Sequence, residues 1–390
     1  MNKRYDPLFK DLTLNNGVIL HNRCAMAPMI VAGKSTDGTV DQEEVEYYRR
    51  RNRVGQLIII GSCAVSKYGK AVTNENHIFE DSNRKELQKI SSAIKESGNL
   101  AIMQLHFAGR EAAGSVKQYG KAYAPSKMDF PWLNYHPEEL TGEQVEALIE
   151  AYGNAARISI EAGFDGIEIH GGNHYIIQQF LSAYSNRRED QWGGCMEKRM
   201  AFPLAVVRRV KAVIAESGKE KIILGFRFCP EEIHGENIGY TIKDSLELVD
   251  RIADEGIDYL HSSTFSNVLI NGPAYKRFGS DNSGIALNAM IYERINKRCA
   301  FMVCGQIKTA EEMLDALNYG DLFALGTLAI TDPDCMDKIR EGREFEIIND
   351  VSGREEELCL TSGLYQQYAD VNDGPGLPPI KGISRKWINF

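Results

Sequence analysis

Ala162-Gly163-Phe164-Asp165-Gly166-Ile167-Glu168-Ile169-His170-Gly171-Gly172-Asn173-His174-Tyr175 is the stretch from which the fold reads outward. Gly163 stands where a helix closes, and a short β-type run follows at Gly166–Ile169. The run then delivers His170, Asn173 and Tyr175 within one turn of backbone. A His and an Asn can both donate hydrogen bonds to one oxygen, and a phenol two residues later can donate a proton nearby. That grouping suits activation of a carbonyl or nitro compound. Spacing alone also fits a polar strand-to-helix turn with an incidental His and Tyr.

Seven further runs resemble Gly166–Ile169. They lie near Cys24–Ala27, Gln56–Ile60, Leu100–Leu105, Ile222–Phe228, Tyr259–Ser262, Phe301–Cys304 and Leu322–Leu325. None alternates with polar residues, as expected of strands buried on both faces of a parallel sheet. Amphipathic segments separate them: Asp41–Arg53, Ser82–Ser97, Gly142–Ala162, Glu197–Glu216, Thr241–Glu255, Leu287–Arg298 and Thr309–Tyr319. Thr141-Gly142-Glu143-Gln144 reads as a capping start, and Gly98, Gly163, Gly256 and Gly320 read as left-handed helix closures.

Eight strands alternating with helices predict a (β/α)8 TIM barrel over residues 1–342. The competing open doubly wound sheet would want G-x-G-x-x-G after its first strand, and none is there. Arg110 to Leu140, after the third strand, is rich in Gly, Pro and Tyr without periodicity, and is expected to form a lid insertion (about 110–140). Residues 343–390 form a C-terminal extension. From Val351 onward they read as an extended arm with aromatic residues at its end, packing on its own barrel or on a neighbouring subunit of a homo-oligomer.

The composition is that of an ordinary globular α/β protein: 390 residues, 43% hydrophobic and 25% charged. A net charge of −9 argues against a nucleic-acid or anionic-membrane partner, while a small anionic cofactor can still be held by backbone N–H groups. No apolar run is long enough to span a bilayer and the first residues lack a signal-peptide core, so a cytoplasmic location is expected. The eight cysteines include no C-x-x-C pair, so no zinc or iron–sulfur site is expected. Cys299 and Cys304, in apolar runs, are expected to pack as small hydrophobes.

Barrel enzymes gather their chemistry at the carboxyl ends of the strands. In order, those ends here are Ala27-Pro28-Met29-Ile30, Gly61-Ser62-Cys63, Gln104-Leu105-His106 and the His170 cluster. Arg227 follows on the fifth strand, then Ser262-Ser263, Cys304-Gly305 and Gly326-Thr327.

With these ends in view, the chain resembles the Old Yellow Enzyme family of FMN-dependent ene-reductases, also called NADH:flavin oxidoreductases. The resemblance rests on residues 21–29 (HNRCAMAPM), 104–110 (QLHFAGR) and 162–173 (AGFDGIEIHGGN). It continues through Gln179-Phe180-Leu181, residues 185–190 (SNRRED), Trp192-Gly193-Gly194 and Glu197-Lys198-Arg199, covering about residues 5 to 342.

The resemblance implies FMN as cofactor and NADH or NADPH as electron donor. Gln104 would bind the pyrimidine edge of the flavin, or else a loop backbone. Arg227 would sit near flavin N1 and O2, where a cation stabilises the anionic reduced ring; otherwise it would pair with Glu168 or Glu231. Pro28, Ile30, Ser62 and Ser263 would touch flavin or ribityl chain, and Gly305, Gly326 and Thr327 would form the phosphate site.

On the substrate side, the resemblance gives His170 and Asn173 the substrate's carbonyl or nitro oxygen, and Tyr175 the role of general acid at Cα. The substrate would then be a small electrophilic alkene. Alternatives are a diaphorase-like transfer to quinone or O2, and a flavin- or ligand-binding barrel without turnover.

Three positions depart from the family pattern. His174 stands where many relatives have a small residue, Ile30 replaces a Thr or Cys near flavin O4, and Thr327 replaces a frequent phosphate-binding Arg. Longer relatives carry a four-cysteine cluster and a second nucleotide domain. This chain is expected to have neither, and to take its electrons from NAD(P)H directly on the flavin.

Overall fold

The computed structural model describes residues 2–264 and 273–364. Eight parallel strands close into a barrel: β1 (Cys24–Met26), β2 (Leu57–Ala64), β3 (Leu100–His106), β4 (Gly166–Gly171), β5 (Ile223–Phe228), β6 (Tyr259–Ser263), β7 (Ala300–Cys304) and β8 (Leu322–Leu325). Each pairs with its chain neighbour, and β8 returns to β1 through Phe323↔Cys24, Ala324↔Ala25 and Leu325↔Met26. All eight expected strands are present. Helices α1 (Gln42–Arg50), α2 (Asn83–Lys95), α3 (Gly142–Glu161), α4 (Ala201–Glu216), α5 (Ile242–Asp254), α6 (Leu287–Ile295) and α7 (Ala310–Ala316) connect them.

The strands are apolar throughout because both of their faces are covered, yet their period of two still sorts the side chains. Ile58, Ile60, Met103, Leu105, Ile167 and Ile169 join the shell between barrel and helices. Leu57, Ile59, Ile102, Ile223, Tyr259, Met302, Leu322 and Ala324 form a separate cluster inside the barrel. A hairpin, Leu12–Thr13 paired with Ile19–Leu20, contributes Leu14 and Leu20 to that inner cluster and closes the bottom. Gly225 is required here, because a Cβ would run into the ring of Tyr259 on the neighbouring strand.

Two residues up, the inward positions of β3, β4, β5 and β6 become Gln104, Glu168, Arg227 and His261. The next step on β3, β4 and β6 brings His106, His170 and Ser263. The barrel interior is thus apolar below and polar above, and the polar layers lie at the carboxyl ends.

Thr141 and Gln144 form the expected capping box of α3, and Thr309 with Glu312 forms another on α7. Gly98, Gly163 and Gly256 are left-handed closures with φ of 78°, 87° and 74°. Gly320 is not: its φ is not positive, and it is there for clearance, since a Cβ would stand 2.8 Å from the carbonyl oxygen of Phe301.

The helix expected over Glu197–Glu216 is interrupted at Met200, leaving Met196–Arg199 as a separate turn before α4. The lid is more ordered than its sequence suggested. It contains a helix at Ala113–Tyr119, and Tyr123–Ala124 pairs with Glu138–Glu139. Cys299 is buried as expected, while Cys304 is half-buried at the top of β7.

The first part of the C-terminal extension packs on its own barrel. Thr361 donates to the carbonyl of Ala32 at 3.0 Å, and Arg51 donates to that of Leu358. The aromatic end of the arm lies outside the described residues. Among the described residues, no helix is long and apolar enough to cross a membrane.

Candidate active site

The lower polar layer is a hydrogen-bonded chain. Gln104 Nε2 donates to Glu168 Oε1 at 2.6 Å, and His261 Nδ1 meets Glu168 Oε2 at 2.9 Å. All three side chains are buried. Burial alone would push the Glu168 carboxyl up, but His261 and then Arg227 outweigh it and hold the group below its ordinary value. Gln104 therefore bonds a neighbouring strand, not a loop backbone. With one amide hydrogen committed, it keeps a donor and an acceptor for a partner above it.

Arg227 is buried without a hydrogen-bonded carboxylate. Its Nη1 donates to the carbonyl of Pro28 at 3.5 Å and its Nη2 to Ser263 Oγ at 3.3 Å, while Nε has no partner among the described residues. Glu231, one suggested counter-ion, is taken by Arg277 at 2.8 Å, and Glu168, the other, is bonded by Gln104 and His261. A guanidinium held this way at the mouth of a barrel is costly unless an electron-rich group covers it. The orphaned Nε, the open half of Gln104 and the adjoining carbonyls fit the edge of a flavin ring.

The rim continues this surface. Ser62 is buried at the top of β2, and Ile30 packs beside Tyr175 among Ala71, Ala108, Ala112 and Ala122. After β7, Gly305 has φ 143°, and a Cβ there would stand 2.5 Å from Thr264 Oγ1 and 2.8 Å from Ala274 Cβ. Only glycine lets these loops close on one another. After β8, Gly326 and Thr327 are half-buried, and Thr327 opens the short helix Thr327–Thr331. Backbone N–H groups and the Thr hydroxyl at this turn can receive a phosphate without an arginine.

The upper polar layer contains the opening motif. His170 Nδ1 accepts from the Gly172 N–H at 3.3 Å, which leaves the ring proton on Nε2. Burial, Arg227, His106 and His261 hold His170 well below the usual histidine range, so it donates as neutral imidazole. Asn173 takes a left-handed backbone at φ 53°. Its N–H donates to Cys229 Sγ at 3.2 Å, and its Oδ1 accepts from Ser263 Oγ at 2.8 Å and from the Cys229 thiol at 3.6 Å. With Oδ1 occupied, the amide hydrogens are the groups left to meet a ligand.

Ser263, expected to touch the flavin or ribityl chain, places its hydroxyl between Arg227 and Asn173. Tyr175 stands edge-on to His170 at 5.0 Å and to His106 at 4.7 Å between ring centroids. Burial, with Glu75 and Glu111 adding, raises its phenol and keeps it protonated.

His174 joins the turn after β4 to the insertion after β3. Its N–H donates to Gln178 Oε1 at 2.9 Å, and its ring lies 5.1 Å from that of His234. His234 belongs to a hairpin, Glu232–His234 with Asn237–Tyr240, and also packs on Tyr184 and on Trp132 of the lid. Burial pushes His174 down to about 4 against the pull of Glu232. The hairpin, Cys229, His261 and the Glu75–His106 pair were not singled out as functional from the sequence. A count of inward positions by twos along β3 and β6 would have found both histidines.

Comparisons with known proteins agree with this fold. Residues 7–346 match the model of the NADH:flavin oxidoreductase / NADH oxidase family. A probable NADH-dependent flavin oxidoreductase of Bacillus subtilis, YqiG, is 37% identical over 358 residues, covering 92% of this chain and 94% of its own. The NADH:fumarate oxidoreductase of Klebsiella pneumoniae is 36% identical over 351 residues, which are 89% of this chain but 37% of that one. An Old Yellow Enzyme homologue from Zymomonas mobilis has the same fold at a TM-score of 0.76 and 23% identity, covering 95% of this chain and 99% of its own. The chain belongs to the NADH:flavin oxidoreductase / NADH oxidase family and is an FMN-dependent NAD(P)H oxidoreductase on a (β/α)8 barrel.

Proposed function

We propose that the protein reduces the C=C bond of α,β-unsaturated carbonyl or nitro compounds. The observation that carries this reading is the pairing of two neutral donors, His170 Nε2–H and the Asn173 amide, beside a buried protonated phenol. The name of the Klebsiella relative, an oxidoreductase acting on an electron-poor alkene, points the same way, although this chain spans about a third of it.

In this reading Gln104 and Arg227 hold the flavin ring, with Pro28, Ile30 and Ser62 around it. Gly305, Gly326 and Thr327 hold its phosphate. FMN, when bound, would supply the redox chemistry, passing electrons from NADH or NADPH to the substrate's β-carbon as hydride. His170 and Asn173 hold the substrate oxygen and stabilise the negative charge that grows on it. Because both donors are neutral, and each is fixed by a partner on its other polar atom, no proton moves when the oxygen docks. Tyr175 then delivers a proton to Cα as general acid. Ring burial keeps that proton in place until a carbanion-like carbon is present to take it.

The test is product analysis. Purified FMN-loaded protein given NADH or NADPH and 2-cyclohexenone under anaerobic conditions should yield cyclohexanone in equal amount to coenzyme oxidised. Coenzyme oxidation with quinone but no ketone from the enone would overturn the reading.

A further inference from the structure

The Glu75–His106 pair lies against Tyr175 but has no place in the chemistry described above. His106 ends β3 and is fully buried, and its Nε2 is bonded to the Glu75 carboxylate. Glu75 reaches in from the loop after β2, where its other oxygen accepts the N–H groups of Ala71 at 2.7 Å and Val72 at 3.3 Å. The carboxylate is an acceptor only, so it fixes the proton of His106 on Nε2. His106 Nδ1 is then a buried atom without a hydrogen-bond partner among the described residues. Such atoms are uncommon and call for an explanation.

The rings show what the pair is packed against. Tyr175 meets His106 edge-on at 4.7 Å and 65°, and meets His170 at 5.0 Å and 85°. The two imidazoles are 6.4 Å apart and within 28° of parallel. The phenol thus stands edge-on against both imidazoles at once, with Ala71, Ala108, Ala112 and Ala122 in the same cluster. Ala71, which donates to Glu75, also packs in the cluster that contains Tyr175, so one loop sets both the carboxylate and part of the wall.

We propose that Glu75 and His106 are positioning residues that hold Tyr175 in its proton-donating orientation beside His170. The proposal rests on the reading of Tyr175 as general acid. Neither residue is a hydride donor or touches the coenzyme in this account, so their effect belongs to the half-reaction that consumes a proton at carbon.

Glu75→Gln tests this with little change of shape. The glutamine oxygen can keep the Ala71 and Val72 N–H groups, but its amide then presents hydrogens to His106. His106 must accept through Nε2 and move its proton to Nδ1, toward the ring cluster. Stopped-flow absorbance would follow reduction of the FMN-loaded enzyme by NADH and its reoxidation by 2-cyclohexenone in Glu75→Gln, Tyr175→Phe and the double variant.

The expected result is reoxidation slowed about tenfold by Glu75→Gln, within the ~10²-fold or more that a positioned general acid contributes. Reduction by NADH should change less than about twofold, and Glu75→Gln should add nothing in the Tyr175→Phe background, as expected of residues acting as one unit. His106→Phe, which keeps a ring without the bond, should repeat the pattern if Glu75→Gln is unstable.

Slowing of reoxidation by Tyr175→Phe alone, with Glu75→Gln neutral or fully additive, would overturn the positioning role and leave the general acid standing. Reoxidation unaffected by Tyr175→Phe would overturn both.

Discussion

Ser263→Ala is the perturbation whose size follows most directly from the geometry. The Ser263 hydroxyl donates to Asn173 Oδ1 at 2.8 Å and accepts from Arg227 Nη2 at 3.3 Å. Without it, Asn173 Oδ1 keeps only the weak thiol donor of Cys229 at 3.6 Å. The amide is then free to turn its oxygen toward the ligand, where it repels an anionic oxygen. One neutral hydrogen bond contributes about 0.5–1.5 kcal/mol net, and the longer guanidinium contact adds a fraction of that. A loss of about 1–2 kcal/mol corresponds to roughly five- to thirtyfold in affinity.

The assay is titration of FMN-loaded protein with 4-hydroxybenzaldehyde, whose phenolate gives a long-wavelength charge-transfer band in enzymes of this family. The Kd should rise by that factor in Ser263→Ala and recover in Ser263→Thr, which restores a hydroxyl. A Kd within twofold of wild type in Ser263→Ala, at equal FMN content, would refute the claim that Ser263 orients Asn173.

Three further outcomes are expected. His170→Ala should abolish the same charge-transfer band while the flavin remains bound; persistence of the band would contradict the donor assignment. Gly305→Ala should lower FMN affinity measured by fluorescence and destabilise the fold by about 1–3 kcal/mol, because an alanine must take a positive φ while meeting Thr264 and Ala274; an unchanged Kd for FMN and unchanged Tm would refute it.

Glu44 is buried and pushed up to about 8 by burial first, with Asp41 adding and the Asn76 hydrogen bond opposing. Its folded pKa lies above its unfolded value, so its contribution is fully present below about pH 4.5 and is lost as pH rises toward 8. Glu44→Gln should therefore raise stability over wild type by on the order of 3 kcal/mol at pH 8 and by little at pH 5. Equal Tm differences at both pH values would refute this.

The eight strands were legible because a strand buried on both faces must be apolar along its length, and runs such as Leu57–Ile60 have no other economical home. The order of strand ends then brought Gln104, Arg227 and His170 to one face. Boundaries failed where tertiary geometry decides: Gly320 lacks a left-handed φ because clearance, not helix closure, demands a glycine there. The lid helix Ala113–Tyr119 was missed because seven residues with two glycines at its edges show too little periodicity.

Partnerships were the least legible part of the site. Nothing in the spacing tells that Ser263 bonds Asn173, 90 positions away, or that Glu75 bonds His106, 31 positions on, across the connection from β2 to β3. The unexplained His174 acquires a place only once the hairpin carrying His234 is folded against it.

The central claim, that His170 and Asn173 activate an alkene by holding its oxygen, is tested most directly by one competition. NADH-reduced, FMN-loaded enzyme would be mixed anaerobically with 2-cyclohexenone or with benzoquinone, in wild type and in His170→Ala. The account predicts that the variant loses on the order of 10²-fold or more in reoxidation by the enone, the scale of one oxyanion donor, and little with quinone. Equal loss with both acceptors, or none with the enone, would contradict it.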